Sequence, residues 1–485
     1  MKKKPFILHA KRSSFILCSH DFLWLSIALL PLLGISFLLA IQPQDYWWVM
    51  RVGQETIQSG AIPTTDTISL SQFGQPIVYQ TWLPGIIFWL VYKIGGISFT
   101  FLLRGILIGI AYGLTWFMAR EVSNARLATI LVFILGIASA NNWAMRSQLF
   151  AYPLFVFCLW SLLHWQNGGN KYLWVLPLAT LLWVNLHGSF ILPLILAGTA
   201  LVFGKGGRKS LLVTFGVMLI ATLLNPHGFG VWKYFVFMLN SPSDQLFAFE
   251  WAPPRNEGWQ MNIFFASLLA FAPLAALSPR KLSALEWVWF LGFGWLALTG
   301  LRYVIWFLFI VTILIAALLA EWTKKLDQPK QTFPALNIGF GFFMLAISLI
   351  FLPGIRERWM GDSVPIYEMT TTPLAATEWL VQHPESCSTL WADYAFGGYL
   401  SFAMPPCRPW MDSRFNAFPP AQWTEYVQVS RAENWQEMFD REGINHLMLS
   451  TAAQPKLIQA VDGSDVWCEE YRDDHALIFS RCEAK

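Results

Sequence analysis

Asp21-Phe-Leu-Trp-Leu-Ser-Ile-Ala-Leu-Leu-Pro-Leu-Leu-Gly-Ile-Ser-Phe-Leu-Leu-Ala-Ile41, followed at once by Gln42-Pro-Gln-Asp-Tyr-Trp-Trp-Val-Met-Arg51, is the stretch on which the reading of the chain turns. Its first part supplies the roughly 20 apolar residues that cross a hydrocarbon core of about 30 Å at about 1.5 Å per residue. It is longer than the apolar region of a secretory signal, and Ile41-Gln-Pro-Gln-Asp45 offers no small-x-small cleavage site, so it reads as a retained signal anchor. The second part sets a carboxylate, Asp45, directly at the membrane surface.

Working outward, apolar stretches recur at residues 98–119, 127–143, 149–165, 172–187, 189–204, 210–224, 262–278, 284–300, 303–320 and 334–352, making eleven spans with the anchor. The composition agrees: 55% of the 485 residues are hydrophobic and 13% charged, against about 25% charged in a soluble domain. Residues 81–96 are apolar but short, with Lys93 and the interface-favouring Trp82, Trp89 and Tyr92, so they are expected to lie along the outer surface. Charge tests that choice. Eleven spans with the amino terminus in the cytoplasm put sixteen basic residues in short inner loops (Lys2, Lys3, Lys4, Lys11, Arg12, Arg120, Arg126, Lys171, Lys205, Arg208, Lys209, Arg280, Lys281, Lys324, Lys325, Lys330). Only seven fall outside before residue 355: Arg51, Lys93, Arg104, Arg146, Lys233, Arg255 and Arg302. This is the asymmetry of the positive-inside rule. A net charge of +3 without a basic tract leaves no footprint for nucleic acid.

The division is thus a transmembrane region over 1–354, with a first outer loop at 42–82 and the surface segment at 81–96, and an outer α/β domain over 355–485. In the latter, 374–382 and 435–442 read as helices and 446–449 and 476–480 as strands. It holds four of the six cysteines. In an oxidising compartment these suggest two bridges, most simply Cys387 with Cys407 and Cys468 with Cys482, although three pairings are open and free buried thiols are the competing reading.

The unusual polar residues gather at outer span ends, the pattern of a site that opens outward. Asp45 is the first candidate for a base that activates a hydroxyl, or for the carboxylate of a divalent-cation site; Asp66 is the second. Arg51, Arg104, Arg146 and Arg302 suit a phosphate or pyrophosphate headgroup, since a guanidinium matches phosphate bidentately; singly, each would also snorkel to bulk lipid. Trp183-Val-Asn-Leu-His-Gly188 and Leu224-Asn-Pro-His-Gly-Phe229 each close an apolar stretch. Asn185, His187, Asn225 and His227 there either cap helical carbonyls or contact a polar headgroup. No zinc motif and no phosphate-binding glycine loop occurs, which disfavours an ATP-driven pump.

These residues resemble the GT-C superfamily of membrane glycosyltransferases, in a bacterial branch similar to protein mannosyltransferases and aminoarabinose transferases. The resemblance rests on Asp45-Tyr-Trp-Trp48 with Arg51 and Gly53, Ile62-Pro-Thr-Thr-Asp-Thr-Ile-Ser69, Gln80-Thr-Trp-Leu83 before Gly95-Gly96, the two Asn/His/Gly patterns, Glu250-Trp251, Gly397-Gly-Tyr-Leu400 and Asp412-Ser-Arg414. It spans nearly the whole chain through loose motifs. It implies a polytopic helical GT-C-like fold in a bacterial inner membrane and a polyprenyl-phosphate-linked sugar donor. It further implies inverting transfer to a glycan, lipid or protein acceptor on the extracytoplasmic face, with Asp45 as base or metal-associated carboxylate, the metal being magnesium or manganese. Many relatives carry two neighbouring acidic residues in the first loop, whereas Gln44 precedes Asp45 here, a departure that bears on metal dependence. The alternatives are an envelope polysaccharide ligase or polymerase and, behind it, a secondary transporter. For Asp412 and Arg414 the expectation is an internal salt bridge of the outer domain.

Overall fold

The computed structural model describes residues 20–42, 45–324, 333–361 and 364–482. The basic residues 2–4, 11, 12, 325 and 330, together with Cys18 and Gln44, lie outside the described residues. In chain order the helices of the first region are α1 (His20–Leu38), α2 (Tyr46–Ser59), α3 (Trp82–Val122), α4 (Ala125–Ala138), α5 (Ala151–Gln166), α6 (Val175–Val184), α7 (Ile191–Phe203), α8 (Arg208–Ala221), α9 (Gly230–Leu239), α10 (Pro242–Phe247), α11 (Gly258–Leu277), α12 (Ala284–Thr299), α13 (Val304–Thr323) and α14 (Pro334–Ile350).

Every apolar stretch of the sequence falls on a helix; among the described residues five helical segments have the length and apolarity to cross a membrane, His20–Leu38, Trp82–Val122, Ser147–Gln166, Gly258–Leu277 and Leu301–Thr323, and five more apolar helices are shorter. Helix length and apolarity alone account for five of the eleven expected spans, and the other apolar stretches form shorter helices. Several apolar stretches break into 3₁₀ turns, at Ala140–Asn142, Ser147–Phe150 and Gly188–Phe190, and so leave shorter helices. α3 is bent where the surface segment was expected to end: Gly95 and Gly96 leave helical geometry, Gly96 at a φ of 61° that a side chain would resist.

Small residues let the helices approach. A Cβ on Gly105 would meet Leu33 and Phe37 of α1, one on Gly136 would meet Leu32, and one on Gly341 of α14 would meet Phe22. α13 is buried from Val304 to Leu318, so it is apolar all round, as a central helix must be. The bundle has two chemically distinct ends. At one, Arg120 pairs with Asp21, the Asn124 amide donates to Thr323, and the Ser278 hydroxyl donates to the Leu318 carbonyl, which brings together the start of α1 and the ends of α3, α11 and α13. At the other lie α2, the irregular turns and the C-terminal region.

The C-terminal region contains a four-stranded sheet, β1 (Leu390–Ala392), β2 (His446–Ser450), β3 (Trp467–Arg472) and β4 (Ala476–Arg481), in the order β1-β2-β4-β3. β1 and β2 are parallel and the rest antiparallel. Helices Leu374–Gln382 and Trp435–Arg441 form where the sequence indicated; β1, β3 and the helix Tyr394–Ala403 were not anticipated. Cys387 is bonded to Cys407 and Cys468 to Cys482.

This region is fastened to the segment that follows α1. The Ile41 amide donates to Ile366 and the Glu368 amide to Ile41, and Trp47 sits among Tyr367, Tyr399 and Phe402 at 4.9–5.9 Å between ring centres. α2 in turn crosses the first arm of α3 with touching backbones: a Cβ on Gly53 would lie 2.0 Å from the carbonyl carbon of Gly85. The N-terminus of α2, where Asp45 stands, is thereby held from two sides.

Candidate active site

Asp45 is the residue before α2 and the natural N-cap of that helix, but its side chain accepts no capping hydrogen bond. The carboxylate is instead committed to a cavity of about 260 Å³ that it lines with Arg146, His187, Glu250, Arg302, Tyr234, Asp244 and the Ser413–Asn416 segment. Burial pushes the Asp45 carboxyl above its ordinary value, against the pull of Arg146 and Arg302. A carboxylate displaced in this direction is a better proton acceptor than a solvated one.

The two arginines come from different turns. Arg146 precedes the 3₁₀ turn Ser147–Phe150, and Arg302 lies in the turn Leu301–Tyr303 ahead of α13. Glu250, in the turn Phe249–Trp251, joins them: it pairs with Arg146 and stands 3.3 Å from Arg302. Trp251 stacks under the Arg302 guanidinium at 4.5 Å, the Leu301 amide donates to Ala252, and the Gln148 amide donates to the Arg302 carbonyl, so the three turns form one unit. Arg146 Nε and Asp244 Oδ2 are buried without a protein partner and face this cavity, where water or a ligand can reach them.

His187 enters between α6 and α7. Asn185, two residues earlier, donates to the Leu181 and Leu224 carbonyls and so ties the two Asn/His/Gly patterns together. The Gln80 amide donates to the Val184 carbonyl. Gly188 packs against the end of the Met238 side chain, where a Cβ would lie 2.9 Å from Cε, while Gly228 takes the positive φ of 52° that a turn demands.

Other sequence candidates stand elsewhere. Arg51 faces Glu55 one turn along α2, at 3.8 Å. Arg104 is buried in the bundle, where it donates to the Ser36 and Leu39 carbonyls and stacks on Phe101; the last turn of α1 leaves these carbonyls without helical partners, and Arg104 supplies them. Neither lines the cavity. Asp66 is fully committed. It accepts from the Ile68 and Ser69 amides, the Ser69 hydroxyl and both Arg414 contacts at 2.9 and 3.1 Å. Arg414 pairs with Asp412 inside the C-terminal region, as expected, and in addition reaches across to Asp66 and, through Nη1, to the Tyr79 hydroxyl. Asn225 binds the Thr222 and Gly228 carbonyls of its own turn.

A second, more open cavity of about 610 Å³ lies beside the first, between residues 64–78 and α9, and receives His227, Lys233 and Asp66. Tyr234 and Asn416 line both cavities and are joined by a 2.9 Å hydrogen bond. These two, with Asp244, were not singled out from the sequence; Ser413 entered only as the middle of Asp412-Ser-Arg414. They sit in segments with no local pattern and acquire a role only when the C-terminal region closes over α9 and α10.

The resident side chains do not fit a divalent cation. Glu250 is occupied by two guanidiniums, and no three acidic, histidine or cysteine side chains converge on one point among the described residues.

No family model matches the chain, and no curated protein matches it in sequence. Solved structures do match. The archaeal oligosaccharyltransferase AglB from Archaeoglobus fulgidus, in complex with an inhibitory peptide and a dolichol-phosphate, superimposes with a TM-score of 0.56 at 10% identity, over 89% of this chain and 70% of that one. Arabinofuranosyltransferase AftD from Mycobacteria gives 0.57 at 16% identity, over 95% of this chain and 41% of its own. Apo ArnT from Cupriavidus metallidurans gives 0.50 at 14%, over 95% and 97%. The chain has the GT-C fold. Within that fold, the apolar helices make it a membrane protein, and the cavity sits where the irregular turns of the bundle meet the C-terminal region.

Proposed function

We propose that the protein transfers a glycosyl unit from a polyprenyl-phosphate-linked donor to a hydroxyl-bearing glycan, lipid or protein acceptor. The observation that carries this reading is the pairing in one cavity of a carboxyl raised by burial, Asp45, with two arginines held by Glu250. Asp45 takes the acceptor proton while Arg146 and Arg302 hold the donor phosphate. Developing charge on the departing phosphate is met by guanidiniums that are already in position, so little reorganisation is needed. Glu250 is a positioning residue: two cations alone would repel and splay, and the carboxylate between them keeps both aimed inward. Electrostatic stabilisation of this kind needs no metal.

The acceptor is taken to enter through the wider cavity and to meet the donor past Tyr234 and Asn416. The charge asymmetry between inner and outer loops supports an amino terminus in the cytoplasm, a membrane region over 1–354 whose segment 81–96 lies on the outer surface, and a 355–485 domain on the outside of a bacterial inner membrane. The deciding experiment is transfer of radiolabelled sugar from a panel of polyprenyl-phosphate donors by membranes that contain the wild type or Asp45→Asn at matched expression. Transfer by the former and not the latter supports the reading; equal activity removes Asp45 as the base.

A further inference from the structure

His187 carries more information than its position. It is the N-cap of the turn Gly188–Phe190 that leads into α7, and the Ser189 backbone N–H donates to its Nδ1 at 3.1 Å. The Ser189 hydroxyl lies 2.7 Å from the same nitrogen, and that hydroxyl oxygen already accepts from the Trp183 indole N–H at 3.1 Å, which leaves its hydrogen free to turn toward Nδ1. A backbone N–H can only donate. Nδ1 must therefore present its lone pair, and a neutral ring with that lone pair carries its hydrogen on Nε2.

Three circumstances keep the ring in this state. It is buried, it stands at a helix N-terminus whose partial positive charge opposes protonation, and Arg302 and Arg146 share its cavity; together burial and these arginines hold it well below the ordinary imidazole range. Asp45, Glu250 and Asp244 also line the cavity, but Glu250 is spoken for by the arginines.

We infer that His187 acts as a fixed, neutral Nε2–H donor to the phosphate that leaves, and is neither a proton carrier nor a metal ligand. This rests on the glycosyl-transfer reading above. In the step, the acceptor oxygen forms a bond to the anomeric carbon and its proton passes to Asp45; the bond from that carbon to the phosphate oxygen breaks, and the electron pair leaves with the polyprenyl phosphate. That product departs as an anion, so it needs hydrogen bonds and positive charge, which His187, Arg146 and Arg302 provide, and no proton from the ring. A metal would require the Nε2 lone pair, which the Ser189 amide forbids by fixing the other tautomer.

The first test reads the tautomer directly. Nitrogen-15 spectra of histidine-labelled protein in lipid nanodiscs, with the His187 signals assigned by their loss in His187→Gln, should show Nε2 protonated and Nδ1 bare; a protonated Nδ1 overturns the inference. The second reads the role. Binding of polyprenyl phosphate alone should weaken in His187→Ala and be largely kept in His187→Gln, whose amide N–H replaces Nε2–H; equal binding by all three overturns the role without reference to turnover. With an active donor, His187→Ala should lose about 100-fold in kcat, His187→Gln should retain most of it, and EDTA should change neither. Activity lost to EDTA and restored by magnesium or manganese in the wild type, with both variants dead, would overturn it. Absence of transfer by the wild type from every donor would instead defeat the glycosyl-transfer reading, and the spectra and binding would still decide His187.

Discussion

Two carboxylate–arginine assemblies, one around Asp66 and Arg414 and one around Asp45, Arg146 and Arg302, differ in how fully their polar atoms are paired. In the latch, Asp66 accepts from two amides, a hydroxyl and a guanidinium, and Arg414 spends Nε, Nη1 and Nη2 on Asp412, Tyr79 and Asp66. In the cavity, Asp45 receives no capping amide, and Arg146 keeps a buried Nε without a partner. A saturated network has nothing left to offer a ligand, and it rigidifies; an unsaturated one must be completed by water or a ligand. What separates the two is that every polar atom of Asp66 and Arg414 is paired within the protein, whereas Arg146 in the cavity keeps Nε unpaired.

That contrast can be broken by experiment. Asp45→Asn should lose about 10³-fold in transfer rate, the scale of a lost general base, in the radiolabel assay. Its thermal stability should be unchanged or higher. Burial raises the folded pKa of Asp45 above its unfolded value, so the ionised group subtracts stability at neutral pH and this penalty fades only as pH falls through the raised pKa; the amide has no such penalty. The same raised pKa should place the acid limb of the kcat/KM profile above the ordinary carboxylate range of about 4. A large fall in melting temperature for this variant would make Asp45 structural and erase the distinction.

Arg414→Ala should do the converse. Removing one partner of the buried network leaves Asp66 and Asp412 uncompensated, a loss of about 3–5 kcal/mol in denaturant unfolding followed by the C-terminal tryptophans. Combining it with Asp66→Ala should give less than the sum of the two, by about 0.5–3 kcal/mol, because both report on one network. Additive losses would separate Arg414 from the first loop.

Smaller effects sharpen the boundary between the regions. Replacing Cys387 and Cys407 by Ser opens a loop of sequence separation 20 next to the segment that feeds Ser413–Asn416, and should cost about 3 kcal/mol in thermal unfolding while the β3–β4 hairpin and its disulfide stay intact. Tyr234→Phe removes only the hydrogen bond to Asn416, about 1 kcal/mol or less, and its effect should appear in the KM for acceptor and not for donor. An equal change in both would mean that Tyr234 does not divide the two cavities.

Much of this was legible in the chain. Apolar runs near membrane thickness, a break at Gly95-Gly96 and the strands at 446–449 and 476–480 are local signals, because period and length report hydrogen bonding within one segment. Sequence also marked Asp45, Arg146, His187 and Arg302, each a costly residue at the edge of an apolar run. It could not say which arginines face one another. Arg51 and Arg104 carry the same local signature as Arg146 and Arg302, yet one pairs within α2 and the other supplies donors to the end of α1. Nor could it tell Asp66 from Asp45, since what distinguishes them is Arg414, 348 residues away. The identities of the special residues were determined by the sequence alone. Which were paired within the fold and which were left facing the cavity was decided only by tertiary packing, because saturation of a polar group depends on partners brought from distant parts of the chain.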